Sequence, residues 1–224
     1  MEENENKKID TEELKNETVN TVKEVKETIK NVDVKKDAVE TKGFIKEMFT
    51  NPLEKIKNIV DDSNNKFFKN AVILVIIWIA AILIKELFDS SYLWKYGVFK
   101  NILGIIKSVI APVVGILAMS IIMLVLNKQN KKSLSNIISA VTAAKLPLVI
   151  ASVVNLLTII GSSITAFTNP FYKLCNVISA IFMYFAAKNI FEEKENSKFI
   201  KKFMLIELIY YIVYFVFTYL GIYI

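Results

Sequence analysis

Three ionisable side chains, Lys107, Lys145 and Glu207, lie inside or at the ends of strongly apolar stretches of the chain. A charge within a bilayer is costly, and it usually marks an ion pathway, a substrate site or a pair with an opposite charge. All three lie near predicted helix ends, which favours snorkelling or a Lys–Glu pair between helices over a proton relay. Asn155 and Asn176 are the uncharged candidates, and we expect them to form hydrogen bonds between helices.

The patterns that would indicate catalysis are missing from the sequence. All 28 cationic residues are lysine and there is no histidine, which removes imidazole bases, histidine metal ligands and bidentate arginine clamps. Neither HExxH, nor GxSxG, nor a glycine-rich phosphate loop occurs. The single cysteine, Cys175, lies in an apolar stretch and is predicted to be a small buried hydrophobe. We therefore predict no catalytic residue, no metal site and no cofactor, and expect that the protein is not an enzyme.

Five apolar blocks supply the elements that would position these residues. The chain is 54% hydrophobic with a mean hydropathy of +0.42, more than a soluble domain can bury. Blocks of this length predict an all-α, polytopic helical membrane protein that contacts the lipid bilayer. The spans of the membrane domain, residues 67–224, are predicted at about 67–88, 108–126, 146–167, 170–187 and 203–223. A four-span arrangement with one block lying flat is the alternative.

The distribution of lysine predicts the orientation of the spans. Residues 1–66 carry 13 lysines against 16 acidic residues, whereas residues 67–224 carry 15 against 6, so the positive excess lies among the spans. There it sets topology, and we expect no nucleic-acid binding. Thirteen lysines flank the spans on the N-terminal side against five on the other, which predicts a cell-membrane protein with a cytoplasmic N-terminus and an external C-terminus. Tyr92, Trp94 and Tyr96 predict a helix at the outer interface in the first connection.

Residues 1–43 are predicted to form a charged cytoplasmic arm. From Asp10 to Lys42 the arm lacks Gly and Pro and reads as helix. Its apolar residues recur mostly at steps of three and four, with one interruption: Val22, Val25, Ile29, Val32 and Val39. The stripe fits a weak coiled coil or partner-binding helix, or else a mostly disordered arm, and residues 10–42 are the predicted contact for a cytoplasmic protein.

Gly43 is predicted to end the arm, and residues 44–66 to form an amphipathic segment. Pro52 suits the first turn of a helix, and Ile56 and Ile59 follow on one face. We expect this segment to lie in the cytoplasmic headgroup layer, with packing on the protein's own surface as the alternative.

A helix of small residues leads into a proline within the stretch Lys132–Leu157. Ser139, Ala140, Ala143 and Ala144 precede Pro147. Together with the amphipathic lead and five spans, this layout resembles the bacterial Yip1-domain family of integral membrane proteins over about residues 44–224. The DLYGP motif of the eukaryotic members does not occur, so the resemblance implies no Rab-type GTPase interaction.

The resemblance implies a non-enzymatic scaffold that organises membrane or recruits a partner through the arm. Lys145 and Pro147 are the candidate structural motif, because Pro147 cannot bond the carbonyl four residues earlier and the small residues admit a neighbouring helix. Two other functions stay open. One is a small transporter or permease subunit, with the Pro112 and Pro147 helices forming a cavity. The other is an envelope sensor that signals through its arm.

Overall fold

The computed structural model describes residues 11–90, 98–127 and 132–219. Within these ranges the chain is 89% helical and contains no strand, which confirms the all-α prediction. The helices are α1 (Thr11–Lys30), α2 (Val34–Thr50), α3 (Pro52–Val60), α4 (Phe68–Ser90), α5 (Val98–Leu126), α6 (Leu134–Ala144), α7 (Leu146–Asn155), α8 (Thr165–Phe191) and α9 (Asn196–Tyr219). Short 3-10 turns at Leu156–Ile159 and Ser162–Ile164 join α7 to α8.

Within the described ranges, three helices are long and apolar enough to cross a membrane, in the segments Phe68–Asp89, Ile102–Leu126 and Thr165–Phe191. The α6–α7 pair, bent by 48°, would make a fourth. The structure thus confirms an all-helical fold with three or four helices that could span a membrane, and the count of five stays a prediction. Residues 220–223 of the last predicted span, and Tyr92, Trp94 and Tyr96 of the first connection, lie outside the described residues.

The predicted third span, 146–167, is wrong as a single helix. Helix α7 ends at Asn155, and the element that continues it is α6 on its N-terminal side. The break lies at Lys145, where Pro147 has no N–H to offer the carbonyl of Ala143. The Lys145 carbonyl instead accepts bonds from the N–H groups of Leu148 and Val149, at 2.9 and 3.2 Å, and starts α7.

Helix α6 is the core of the bundle at one end. All eleven of its residues are buried, and it contacts α3, α4, α5 and α8. Its small residues Ser139, Ala140, Ala143 and Ala144 allow these neighbours to approach closely. The bend then carries α7 out of the centre, so α7 packs between α4 and α8.

Helices α4, α5, α7, α8 and α9 form a closed ring. Contacts run from α4 to α5, from α5 to α9, from α9 to α8, from α8 to α7, and from α7 back to α4. At one end α6 fills the middle of this ring. At the other end the ring has no central helix, and this difference shapes the site described below.

The N-terminal helices α1, α2 and α3, here called the cap, cover the end that α6 fills. The predicted boundary at Gly43 is wrong, because α2 runs through that residue to Thr50. The arm is not one helix to Lys42 either, since Asp33 caps a new helix by accepting bonds from the N–H groups of Lys35 and Lys36.

The apolar side of α2 and α3 is buried by the protein itself. Phe44, Met48, Ile56, Ile59 and Val60 belong to the main hydrophobic core. This is the packing that the sequence left as the alternative to a helix in the headgroup layer. Helix α1 also packs on the bundle, against α4 and α6.

The valine stripe is only partly covered. Val25 packs against the core, while Val22 and Ile29 are about half exposed and Val39 is 72% exposed. The coiled coil stays a prediction.

Candidate ligand cavity

A cavity of about 960 Å³ lies between α4, α5, α7, α8 and α9, in the half of the bundle away from the cap. Its wall comes from the second half of α4 and α9 and from the first half of α5 and α8. Because α6 ends at the level of the cavity floor, the cavity occupies the part of the ring that has no central helix. It is called the central cavity below.

Each wall helix presents one stripe to the central cavity. On α4 the stripe comprises Trp78, Ala81, Ile82, Lys85 and Glu86. On α5 it comprises Gly104, Lys107, Ser108, Ala111, Pro112, Gly115 and Ile116. The steps of three and four residues keep these side chains on one helical face, so the opposite faces are left for lipid.

Lys145 and Glu207 lie at the floor of the central cavity. Lys145 stands at the α6–α7 break, and its Nζ lies 5.9 Å from the centre of the Tyr210 ring. Glu207 lines the cavity from α9, and its carboxylate attracts the Lys145 ammonium group through space. Among the described residues neither side chain forms a salt bridge. The structure therefore brings the two charges to one cavity without joining them as a direct pair.

Asn155 and Asn176 line the walls of the same cavity, from α7 and α8. The sequence predicted that they would bond neighbouring helices, but within the described ranges their side chains make no hydrogen bond and face the cavity. The bond that does join two wall helices runs from the Nε1–H of Trp78 to the Oγ of Ser152, at 2.9 Å. Lys107 and Pro112 are also wall residues, whereas Pro147 is buried in α7 and does not line the cavity.

The tyrosines of the wall were not predicted as site residues from the sequence. Tyr210, Tyr211 and Tyr214 lie on α9 at three, four and seven residues after Glu207. This spacing could have predicted them from the sequence, because it places one carboxylate and three hydroxyls on a single face of an otherwise apolar helix. Tyr172 joins them from α8.

The central cavity carries a small positive excess. Three lysines and two glutamates line it, and Lys85 is paired with Asp89 at 2.7 Å. Cys175 is free and buried beside the cavity wall, as predicted. Within the described ranges no cluster of His, Cys, Asp or Glu could hold a metal ion.

Ion pairs close the opposite, cap end of the bundle. Lys132, before α6, pairs with Asp61 at 2.7 Å and with Glu192 at 2.9 Å, which joins α3 to the end of α8. Burial alone would lower the pKa of Lys132, but the hydrogen bonds of these two carboxylates raise it. Lys69 pairs with Asp37 at 2.6 Å, and this hydrogen bond lowers the pKa of the Asp37 carboxyl.

A polar chain links α1 to α6 through Asn65, which has a φ of 53°. The Asn65 amide donates to Glu24 at 3.0 Å and its oxygen accepts from the Ser135 hydroxyl at 2.9 Å. Asparagine tolerates this left-handed backbone better than most residues. The side chain of Asn136 donates to the Asp62 carbonyl at 2.6 Å. These bonds satisfy the polar start of α6 in the protein's interior.

Comparisons of the chain with protein-family models, with curated proteins and with solved structures found no match.

Proposed function

We propose that the protein is a five-span membrane carrier, a small transporter or permease subunit, that binds a small polar molecule in the central cavity. One observation carries this proposal: five helices enclose a cavity whose floor is a helix break bearing a lysine. Broken helices with convergent polar groups deep in a bundle are typical of substrate sites in transporters. The carrier is not an enzyme and uses no cofactor.

The arrangement of α6 supports an outward-open state. Helix α6 and the cap close one end, and the ion pairs of Lys132 and Lys69 hold that closure. The central cavity extends from the floor toward the other end, where Lys85 and Lys107 stand. Transport would then require the α6–α7 bend to change, because α6 fills the inner half of the path.

The proposed topology has the cap in the cytoplasm and five spans, the third being the bent α6–α7 pair and the fifth α9. Lysines of the cap end support it, since Lys69, Lys132, Lys188 and Lys202 lie beside the cap or at the ends of α8 and α9. Lys145 is not counted among the cytoplasmic lysines in this topology, because it lies at the cavity floor rather than in a connection.

Cysteine labelling tests this topology. In a Cys175→Ser background, Gly43→Cys should react with a membrane-impermeant thiol reagent only from inside, and Gly161→Cys only from outside. A Cβ at either glycine would meet no atom within 4 Å, so both substitutions fit the fold. Labelling of both from the same side would contradict an odd number of spans between them.

Exchange from proteoliposomes tests the carrier function. Vesicles containing the protein are loaded with a mixture of small metabolites, and loss of each species is followed by mass spectrometry. We expect one species, or a few of one chemical class, to leave faster than from vesicles with Lys145→Met. The control is Lys173→Met, an exposed lysine that does not line the cavity. Equal loss from all three preparations would overturn the proposal.

A second candidate is the membrane scaffold that the Yip1 resemblance implies, and the exposed residues Val22 and Ile29 of α1 favour it. A cytoplasmic partner would cover them. Deletion of residues 1–42 is a poor test, because Asp37 and Thr41 of the cap are buried on the bundle. The double substitution Val22→Asn and Ile29→Asn is sharper: a scaffold should lose its crosslinked partner, and a carrier should keep its exchange. The sensor function predicts the same loss together with a lost signal.

A further inference from the structure

We infer that the central cavity takes a zwitterion whose carboxylate binds Lys145 and whose ammonium group binds Glu207. The inference rests on the proposed binding function and names its substrate class. It begins from the two opposite charges at the floor, which come from different elements, the α6–α7 break and α9.

Two opposite charges held apart need a reason. An ion away from bulk water is costly unless an opposite charge or several hydrogen bonds compensate it. A direct Lys145–Glu207 pair would compensate both, yet neither side chain forms a salt bridge with any residue that the structure describes. Each charge instead faces the cavity, so a molecule with both charges can satisfy both groups at once.

The remaining charges point to a neutral zwitterion more than to an anion. Lys85 is already neutralised by Asp89 at 2.7 Å, and Glu86 lines the same wall with a negative charge. The positive charge of the wall away from the floor is therefore largely compensated by carboxylates. Helix α7 offers no free anion site at its start, because the N–H groups of Leu148 and Val149 bond the Lys145 carbonyl. The carboxylate must rely on the Lys145 ammonium group.

The walls favour a ligand with an aromatic or bulky side chain. Trp78, Tyr172, Tyr210, Tyr211 and Tyr214 line the cavity, so aromatic surface surrounds the floor on three helices. Aromatic rings prefer edge-to-face or offset contacts with other rings. The volume of about 960 Å³ exceeds a single amino acid and also accommodates a short peptide. The probes are accordingly L-phenylalanine and the dipeptide phenylalanyl-leucine.

Trp78 provides a reporter inside the wall. The chain has two tryptophans, Trp78 and Trp94, so a Trp94→Phe variant leaves Trp78 as the single emitter. Purified full-length protein in lipid nanodiscs is titrated with L-phenylalanine, phenylalanyl-leucine, 3-phenylpropionate, which lacks the ammonium group, and 2-phenylethylamine, which lacks the carboxylate. We expect at least one of the two zwitterions to bind, and 3-phenylpropionate and 2-phenylethylamine to bind at least tenfold more weakly.

Variants then assign each charge. Lys145→Met should remove the preference for a zwitterion over the amine, and Glu207→Gln should remove the preference over the carboxylate. Lys173→Met should bind as the parent does. If a variant fails to fold, as judged by size-exclusion chromatography, the analogue series on the parent protein still decides the matter.

The inference is overturned if neither zwitterion binds, or if single-charge analogues bind as tightly. It is also overturned if Lys145→Met and Glu207→Gln keep the parent's preferences, in which case the two charges are structural only. These results differ from failure of the carrier proposal. Zwitterion binding without exchange from proteoliposomes would support the zwitterion site and contradict the carrier function. Exchange of a purely anionic or cationic species would support the carrier function and contradict the zwitterion site.

Discussion

Enlarging a side chain within α6 should destabilise the protein strongly. Ala140 is 0% exposed, and its helix is surrounded by α3, α4, α5 and α8. Ala140→Leu adds three carbon atoms where the neighbouring helices leave no space, and overpacking of a core costs about 1–3 kcal/mol. The same helix should not tolerate loss of volume either. Ile137 is also 0% exposed, and Ile137→Ala should lower the free energy of unfolding by about 2–5 kcal/mol, because the truncation leaves a cavity.

Matched controls lie on the lipid-facing side of α4. Ala80 is exposed and Ile76 is 43% exposed, so Ala80→Leu and Ile76→Ala should change the free energy of unfolding by about 0.5 kcal/mol or less. The assay is denaturant unfolding of the purified protein in detergent, followed by circular dichroism. If Ala140→Leu is as stable as Ala80→Leu, then α6 does not fill the ring, and the floor of the central cavity is lost with it.

Three further predictions concern the cap. The pKa of Asp37 is lowered in the folded protein by the Lys69 hydrogen bond, so its contribution is full above the ordinary value of 3.8 and is lost as the pH falls through the folded value. Thermal melts between pH 7 and 3 should show a larger acid loss in the parent than in Asp37→Asn, whose remaining loss comes from other paired carboxyls such as Glu193 and Glu195. Lys132→Met removes two ion pairs and should lower the free energy of unfolding by about 1 kcal/mol. The difference between parent and variant should shrink in 1 M salt, which screens the ion pairs of the parent. Gly43→Ala should raise stability by about 0.5–1 kcal/mol, because α2 is helical there and an added Cβ meets no atom within 4 Å; a loss of stability would place a break at Gly43 after all.

The long apolar helices α4, α5, α8 and α9 were predicted from the sequence as spans, whereas α6 was predicted only as a helix of small residues leading into Pro147 and lies outside every predicted span. Residues 67–88 were predicted as the first span and α4 covers Phe68–Ser90, because its apolar run is continuous. Helix α6 contains Ser135, Asn136, Ser139 and Thr142, so its composition does not indicate a membrane span. The side chains of Ser135, Asn136 and Ser139 form hydrogen bonds inside the protein, and a helix buried on every side shows no amphipathic period.

The candidate site was predictable residue by residue but not as a cavity. Lys107, Lys145 and Glu207 were singled out by the cost of a charge in lipid, and Asn155 and Asn176 as partners for hydrogen bonds between helices. All five line the central cavity. Their convergence depends on the bend at the α6–α7 break, which places Lys145 at the floor. The tyrosines of α9 were missed because aromatic residues at helical spacing are equally typical of a lipid-facing surface.

The central claim is that a cavity lined by several ionisable and hydroxyl side chains lies within the ring of helices and is open away from the cap. Gly104 lines this cavity with open space beside it, whereas its neighbour Leu103 is 48% exposed on the outside of α5. In a Cys175→Ser background, a membrane-impermeant thiol reagent added outside intact cells should label Gly104→Cys rapidly. Leu103→Cys should stay unlabelled, because a thiol in lipid does not ionise. Equal labelling of the two positions, or a Gly104→Cys thiol that the external reagent never reaches, would contradict the account.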